Sequence, residues 1–113
     1  VANDGSLVKE FKTDTYKTIL TQTESDILTN MMTAVVQEGT ATKLKNDVYQ
    51  AAGKTGSAEY NGVKEDSHAW FTGFAPVNDP EVSVTIIIEG IGSGGDYAVP
   101  IAKRIFDGYF KYK

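Results

Sequence analysis

The sequence predicts an α+β domain: a three-stranded antiparallel sheet packed by a C-terminal helix, with one further helix. Three observations carry this. Three runs of strand-like composition, Ala51–Tyr60, His68–Ala75 and Val82–Glu89, follow one another closely, and short connections between successive strands favour an antiparallel meander. Two other segments repeat apolar residues at helical spacing. The 113 residues suffice for one domain with a core but not for two.

In chain order, Val1–Lys12 reads as a turn, Asn3-Asp4-Gly5, followed by a short strand. Thr23–Gln37 reads as a helix, with Thr23 as cap and Asp26 at the reciprocal capping position. Leu28, Met31, Met32, Val35 and Val36 give it an apolar face, and Gly39 is its stop. Thr40–Gln50 is polar and irregular. After the first strand, Asn61-Gly62 turns the chain inside a polar loop reaching Ser67. The second strand carries Trp70, Phe71 and Phe74, and Pro76–Pro80 forms a loop. In the third, Val82, Val84, Ile86 and Ile88 share one face. A glycine-rich turn, Gly90–Gly95, then leads into a helix over Asp96–Lys111, capped by Asp96, with Pro100 near its first turn. Its stripe of Ala98, Ile101, Ala102, Ile105, Phe106 and Tyr109 is the face expected to cover the sheet.

Composition excludes several function classes. A net charge of −4 provides no basic footprint for nucleic acid or an anionic membrane. No apolar run approaches the roughly 18 residues of a membrane span. There is no signal-peptide pattern, and a start at Val1 without methionine is read as a fragment or processed product. Without cysteine there are no disulfides or thiolate metal sites, and one histidine, His68, cannot make a multi-histidine site. No metal or cofactor is expected.

Three segments carry possible chemistry. Gly90-Ile91-Gly92-Ser93-Gly94-Gly95 matches G-x-G-x-x-G, but a dinucleotide site also needs a second parallel strand and an acidic residue about 20 positions on. The bland reading, a flexible turn between strand and helix, is preferred. Ser6-Leu7-Val8-Lys9 matches S-x-x-K, whose chemistry needs a helix to stack serine and lysine on one face. In an extended segment positions i and i+3 point to opposite faces, so the two side chains diverge.

The third segment is Ala52-Gly53-Lys54-Thr55-Gly56-Ser57-Ala58. A strand built only for packing uses β-branched and aromatic residues. This one has small residues around a single lysine, which suggests docking against its backbone. Lys-Thr-Gly alone is a weak triplet, and a solvated lysine on an edge strand is its bland alternative. The functional alternative is coherent. Lys54 supplies a positive charge for a substrate carboxylate, and Thr55 and Ser57 add hydroxyl donors. Gly56 removes a side chain that would block an extended peptide. The Ser57 N–H could face a developing oxyanion. His68 and Trp70 lie near this groove in sequence, but ordinary strand roles, with Trp70 in packing, are the simpler reading.

Taken together these segments resemble the C-terminal part of the transpeptidase domain of penicillin-binding proteins, most closely the class B type. Val1–Lys9 looks like the family's Ala-Asn-Gly-Gly segment and the strand after it. Gln37-Glu38-Gly39-Thr40-Ala41 looks like its Gly-Thr-Ala segment, Ala52–Ala58 like its Lys-Thr-Gly strand, and His68–Pro76 like its Trp-Phe-x-Gly-Phe/Tyr-x-Pro strand. The order and spacing of the segments are more specific than the triplet.

The resemblance implies a partial β-lactamase/transpeptidase-like fold over residues 1–113. It also implies a parent enzyme that cross-links peptidoglycan outside the cytoplasmic membrane, anchored by a segment absent here. Its serine is acylated by a D-Ala-D-Ala stem peptide, or by a β-lactam, and an amine of a second stem peptide resolves the acyl-enzyme. Lys54, Thr55, Gly56 and Ser57 would bind the terminal carboxylate of stem peptide or drug, and the Ser57 N–H would be half of the oxyanion hole. The family's nucleophile and S-x-N motifs lie upstream of the matching segments, and no serine here begins an S-x-N. The expected partner is therefore the N-terminal part of the same domain, and the chain alone is expected to be inactive. The family's last strand, here Val82–Glu89, pairs with a strand near the start of the domain, so an apolar edge open to another chain is expected. Alternatives are a serine β-lactamase or β-lactam sensor domain, or a non-catalytic module that binds peptides or partners along its sheet edge.

Overall fold

A computed structural model describes residues 1–62 and 66–113. Helix α1 spans Gln22–Gln37, a 3-10 turn Thr42–Leu44, strands β1, β2 and β3 Ala52–Ala58, His68–Ala75 and Val82–Ile88, and helix α2 Gly94–Tyr112. The strands form one antiparallel sheet in the order β1-β2-β3. This is the predicted architecture. Part of the polar loop expected between Asn61 and Ser67 lies outside the described residues.

The core lies between the sheet and α2. Phe71, Ala69 and Ala75 of β2 and Val84 of β3 meet Ala98, Val99, Ala102 and Phe106 of α2, with Val36, Leu44 and Ala51 closing the side next to β1. Phe71 and Phe106 are the largest fully buried side chains, each contributing roughly 1.5–3 kcal/mol by removal from water. Tyr49, in the loop before β1, stacks on Phe110 with ring centroids 4.7 Å apart and donates its hydroxyl to Asp107 at 2.7 Å. This pins the entry of β1 to the end of α2. Helix α1 flanks β1 and leaves a depression of about 420 Å³ lined by Leu28, Met31, Met32, Val35, Lys54 and Thr72.

Several local expectations need correction. Val1–Lys12 forms no strand: Asp4 binds Ser6 within a turn, and most of the segment is exposed. A strand needs a ladder neighbour, and none of the described strands supplies one. The cap of α1 is Thr21, not Thr23. Its Oγ1 accepts from the Glu24 N–H at 3.2 Å and donates to the Glu24 carboxylate at 3.0 Å, so the cap lies two residues earlier than predicted. Helix α2 starts at Gly94, so Ser93 rather than Asp96 is its cap, and Pro100 lies in the second turn. The buried stripe is also turned. Gly94, Ala98, Val99, Ala102 and Phe106 face the sheet, whereas Ile101, Ile105 and Tyr109 are exposed. Gly94 must face inward because the helix starts in close contact with the backbone of the sheet, and Ala98, Ala102 and Phe106 follow on the same side. The two strand overruns, at Ala51, Glu59 and Tyr60 in β1 and Glu89 in β3, are end effects.

Candidate functional site around the Lys-Thr-Gly strand

Among the described residues strand β1 is an edge strand, paired with β2 alone. Its side chains alternate, so Gly53, Thr55 and Ser57 share the face toward α2 while Lys54 and Gly56 face the other way. The four residues expected to act together are therefore divided between two faces.

Lys54 is exposed and lines the depression beside α1. Its ammonium folds back and donates to the Thr55 carbonyl at 2.6 Å. Among the described residues it forms no ion pair. Thr55 is buried, and its Oγ1 lies 2.5 Å from that of Thr40. The Ser57 Oγ accepts the Gly94 N–H, the first of α2, at 3.3 Å. That bond serves as a cap for α2, since Ser93 makes no side-chain capping bond. The positive end of the helix dipole thus stands directly behind Ser57.

The glycines in this region have different causes. A Cβ on Gly53 would meet the Phe71 ring at 2.5 Å and the Thr72 carbonyl at 2.8 Å, and one on Gly73 would meet the Ala52 carbonyl at 2.5 Å and the same ring at 2.6 Å. Their small size serves internal packing, which corrects the expectation that all the small residues of β1 mark docking. Gly56 is different: its Cβ would meet only Trp70, at 3.3 Å. A Cβ on Gly94 would lie 2.2 Å from the Trp70 carbonyl and 2.5 Å from that of Gly56, so α2 begins backbone-on-backbone over β1 and β2.

The other two segments resolve plainly. Ser6 binds Asp4 in an irregular stretch, and Ser6 and Lys9 are not stacked on a helix. Gly90 and Gly92 adopt φ of +60° and +111°, and the N–H groups of Ile91 and Gly92 donate to the Ser67 carbonyl. That turn is tied down, and the last element is α2, with no second parallel strand after it among the described residues. His68 accepts the Gly90 N–H on Nδ1 at 3.0 Å and stacks on Tyr60, an ordinary strand role. Trp70 is 39% exposed on the Gly56 face, contrary to the expectation of packing.

Two residues in contact with this strand were not assigned by sequence reasoning, Thr40 and Gly94. The signal for Thr40 was present in the Gly-Thr-Ala segment. Gly94 was hidden inside a run of glycines that read as a flexible turn.

Comparisons with known proteins bear on the family and the fold. The family description "Penicillin binding protein transpeptidase domain" matches residues 1–107. The chain is 35% identical to the peptidoglycan D,D-transpeptidase MrdA of Haemophilus influenzae over 66% of its own length and 14% of that protein's. It is 31% identical to the peptidoglycan D,D-transpeptidase PbpA of Mycolicibacterium smegmatis over 91% of its length and 26% of that protein's. It therefore spans about a seventh to a quarter of these relatives. Among solved structures, Pseudomonas aeruginosa PBP2 in complex with WCK 5153 superimposes with a TM-score of 0.74 at 31% identity, over 88% of this chain and 23% of that one. Penicillin-binding protein A from M. tuberculosis, as a ceftriaxone acyl-enzyme complex, superimposes with a TM-score of 0.61 at 29% identity, over 71% and 19%. With the family match over residues 1–107 and the same fold in these solved structures, this chain belongs to the penicillin-binding protein transpeptidase domain family.

Proposed function

We propose that this chain forms the carboxylate-binding wall of a peptidoglycan D,D-transpeptidase, acting outside the cytoplasmic membrane on D-Ala-D-Ala stem peptides and on β-lactams. The observation that carries the reading is the state of Lys54. It is an exposed lysine with no acidic partner among the described residues, in a chain of net charge −4, and its ammonium is held over the Thr55 carbonyl. A cation kept unpaired beside a strand edge is suited to an external carboxylate.

The rest of the edge fits an extended peptide. Backbone groups of alternate residues point to the same side of a strand, so the outward edge used by Thr55 is also that of Ser57. A stem peptide added along this edge would place its terminal carboxylate near Lys54 and the hydroxyls of Thr55 and Ser57. Gly56 leaves the path clear. The scissile carbonyl would then face the Ser57 N–H, which becomes one half of an oxyanion hole.

The nucleophile is a serine of an S-x-x-K helix that these residues do not provide. Its Oγ attacks the D-Ala-D-Ala carbonyl, giving up its proton, and the peptide C–N bond breaks as the departing D-alanine amine takes a proton. The amine of a second stem peptide then attacks the ester and releases the serine. A β-lactam follows the first step by opening its ring, with no leaving group to diffuse away.

The test uses a complete transpeptidase carrying this segment. Lys54→Ala should slow acylation by benzylpenicillin about 10- to 100-fold, as expected for a lost charge-assisted bond. Acylation unchanged in a folded variant would reject the reading. The 113-residue chain by itself should take up no fluorescent penicillin covalently; stoichiometric labelling would show that the nucleophile is misassigned.

A further inference from the structure

We infer that Thr40 is a positioning residue for the carboxylate-binding edge of β1, acting through the hydroxyl of Thr55; this rests on the reading of that edge given above. Thr55 is only 8% exposed, and among the described residues the Thr40 hydroxyl is the one side-chain partner of its own. Thr40 is itself fixed in place. The Ala41 N–H donates to the Val35 carbonyl at 3.1 Å, and a Cβ on Gly39 would meet the Val35 backbone at 2.9 Å. A Cβ on Gly95 would sit 2.8 Å from the Thr40 carbonyl, so the start of α2 packs against it. The segment is wedged between the end of α1, β1 and the start of α2.

Proton bookkeeping gives this contact a direction. A hydroxyl has one proton to donate and can also accept. At Ser57 the oxygen accepts from Gly94, and among the described residues its proton has no acceptor. At Thr55 the proton is free for a carboxylate only if Thr40 donates to Thr55. Thr40 and the Gly94 N–H thus play matching parts: each supplies a donor from behind, and the hydroxyl it touches donates forward. Hydrogen bonds arranged in such a chain strengthen one another. An apolar side chain of the same shape at position 40 would keep the packing and remove the donor.

The experiment follows the backbone amide signals of residues 53–58 in the 113-residue chain. The titrant is N-acetyl-D-alanyl-D-alanine, with its C-terminal amide as the uncharged control. The unaltered chain should bind the acid more tightly than the amide, and Lys54→Ala should abolish that preference. Thr40→Val should weaken acid binding about fivefold, in line with one hydrogen bond, and leave amide binding and thermal unfolding little changed. Thr40→Ser should restore the acid preference.

The inference is overturned if Thr40→Val binds the acid as well as the unaltered chain does. It is also overturned if Thr40→Ser fails to restore binding, or if Thr40→Val weakens acid and amide alike, which marks a role in packing alone. An unaltered chain that does not prefer the acid, with Lys54→Ala no different, would sink the reading of the whole edge and this inference with it. The preserved Lys54 effect separates a failure of the inference from a failure of that reading.

Discussion

Phe71 explains two of the glycines of the sheet, and that sets apart a third. Its ring occupies the space where Cβ atoms of Gly53 and Gly73 would stand. Gly53→Ala should destabilise the chain by about 1–3 kcal/mol, since the ring is fully buried and has little room to move. Gly94→Ala should be worse, because the three nearest atoms it would meet are all backbone, the closest at 2.2 Å, whereas at Gly53 the nearest backbone atom lies at 2.8 Å. Gly56→Ala should change stability by less than about 0.5 kcal/mol, because its Cβ would touch only the exposed Trp70. On the proposed reading it should nevertheless impede an extended ligand. Urea unfolding of the three variants checks the ordering. In sequence these glycines look alike. What separates them is which face each occupies and which residue lies across the sheet, and that requires the register. The lysine was legible because a lone cation among small residues is unusual. The division of Lys54 from Thr55 and Ser57 follows from strand alternation, whereas the partners Thr40 and Gly94 come from distant segments that no local pattern links to β1.

At the scale of elements, the caps are where expectation and structure part. Thr21→Ala should destabilise the chain by about 1 kcal/mol, whereas Thr23→Ala, inside the first turn of α1, should lack that effect. Thermal unfolding of both variants distinguishes the two assignments. Either threonine can begin a capping box on paper, and only the helical path selects one. Helix α2 shows the same limit. Its apolar residues were evident, but the close approach of Gly94 to β1 and β2 sets its rotation and leaves Ile101 and Ile105 outside. The strands were more legible, because aromatic and β-branched runs bounded by turns leave fewer choices.

The tie between α2 and the loop before β1 carries a pH dependence. The bond from Lys103 chiefly holds the Asp107 carboxyl below its ordinary value; burial opposes it, and the bond from Tyr49 adds a smaller lowering. A lowered folded value means that the stabilisation is present above the unfolded carboxylate range and is lost as pH falls through the folded value. Asp107→Asn should therefore flatten the loss of stability on the acid side. Unfolding curves across that range would contradict the assignment if the slope were unaltered. Tyr49 is shifted upward, chiefly by burial and then by Asp107, so it stays protonated and keeps donating at neutral pH.

At the scale of the molecule, the unresolved business is exposed apolar surface. Leu28 and Met31 of α1, Trp70 and Ile87 of the sheet, and Ile101 and Ile105 of α2 are all exposed, and β3 has an unpaired edge among the described residues. A chain with such surfaces should self-associate as its concentration rises, and Ile87→Lys, placing a charge on the edge strand, should reduce this. Sedimentation velocity that finds a monomer throughout would contradict the prediction. The strand order was legible from connection lengths, but the short strand expected after the Asn3-Asp4-Gly5 turn is not formed, because pairing is a property of neighbours rather than of a segment. On the proposed reading the edge of β1 receives the carboxylate of substrate and drug. Its most direct test is the structure of a penicillin-acylated complete transpeptidase carrying this segment. The drug carboxylate should lie within about 2.7–3.2 Å of the Lys54 ammonium or the Thr55 and Ser57 hydroxyls, with the acyl oxygen facing the Ser57 N–H. A carboxylate bound away from β1, with Lys54 still folded onto the Thr55 carbonyl, would contradict it.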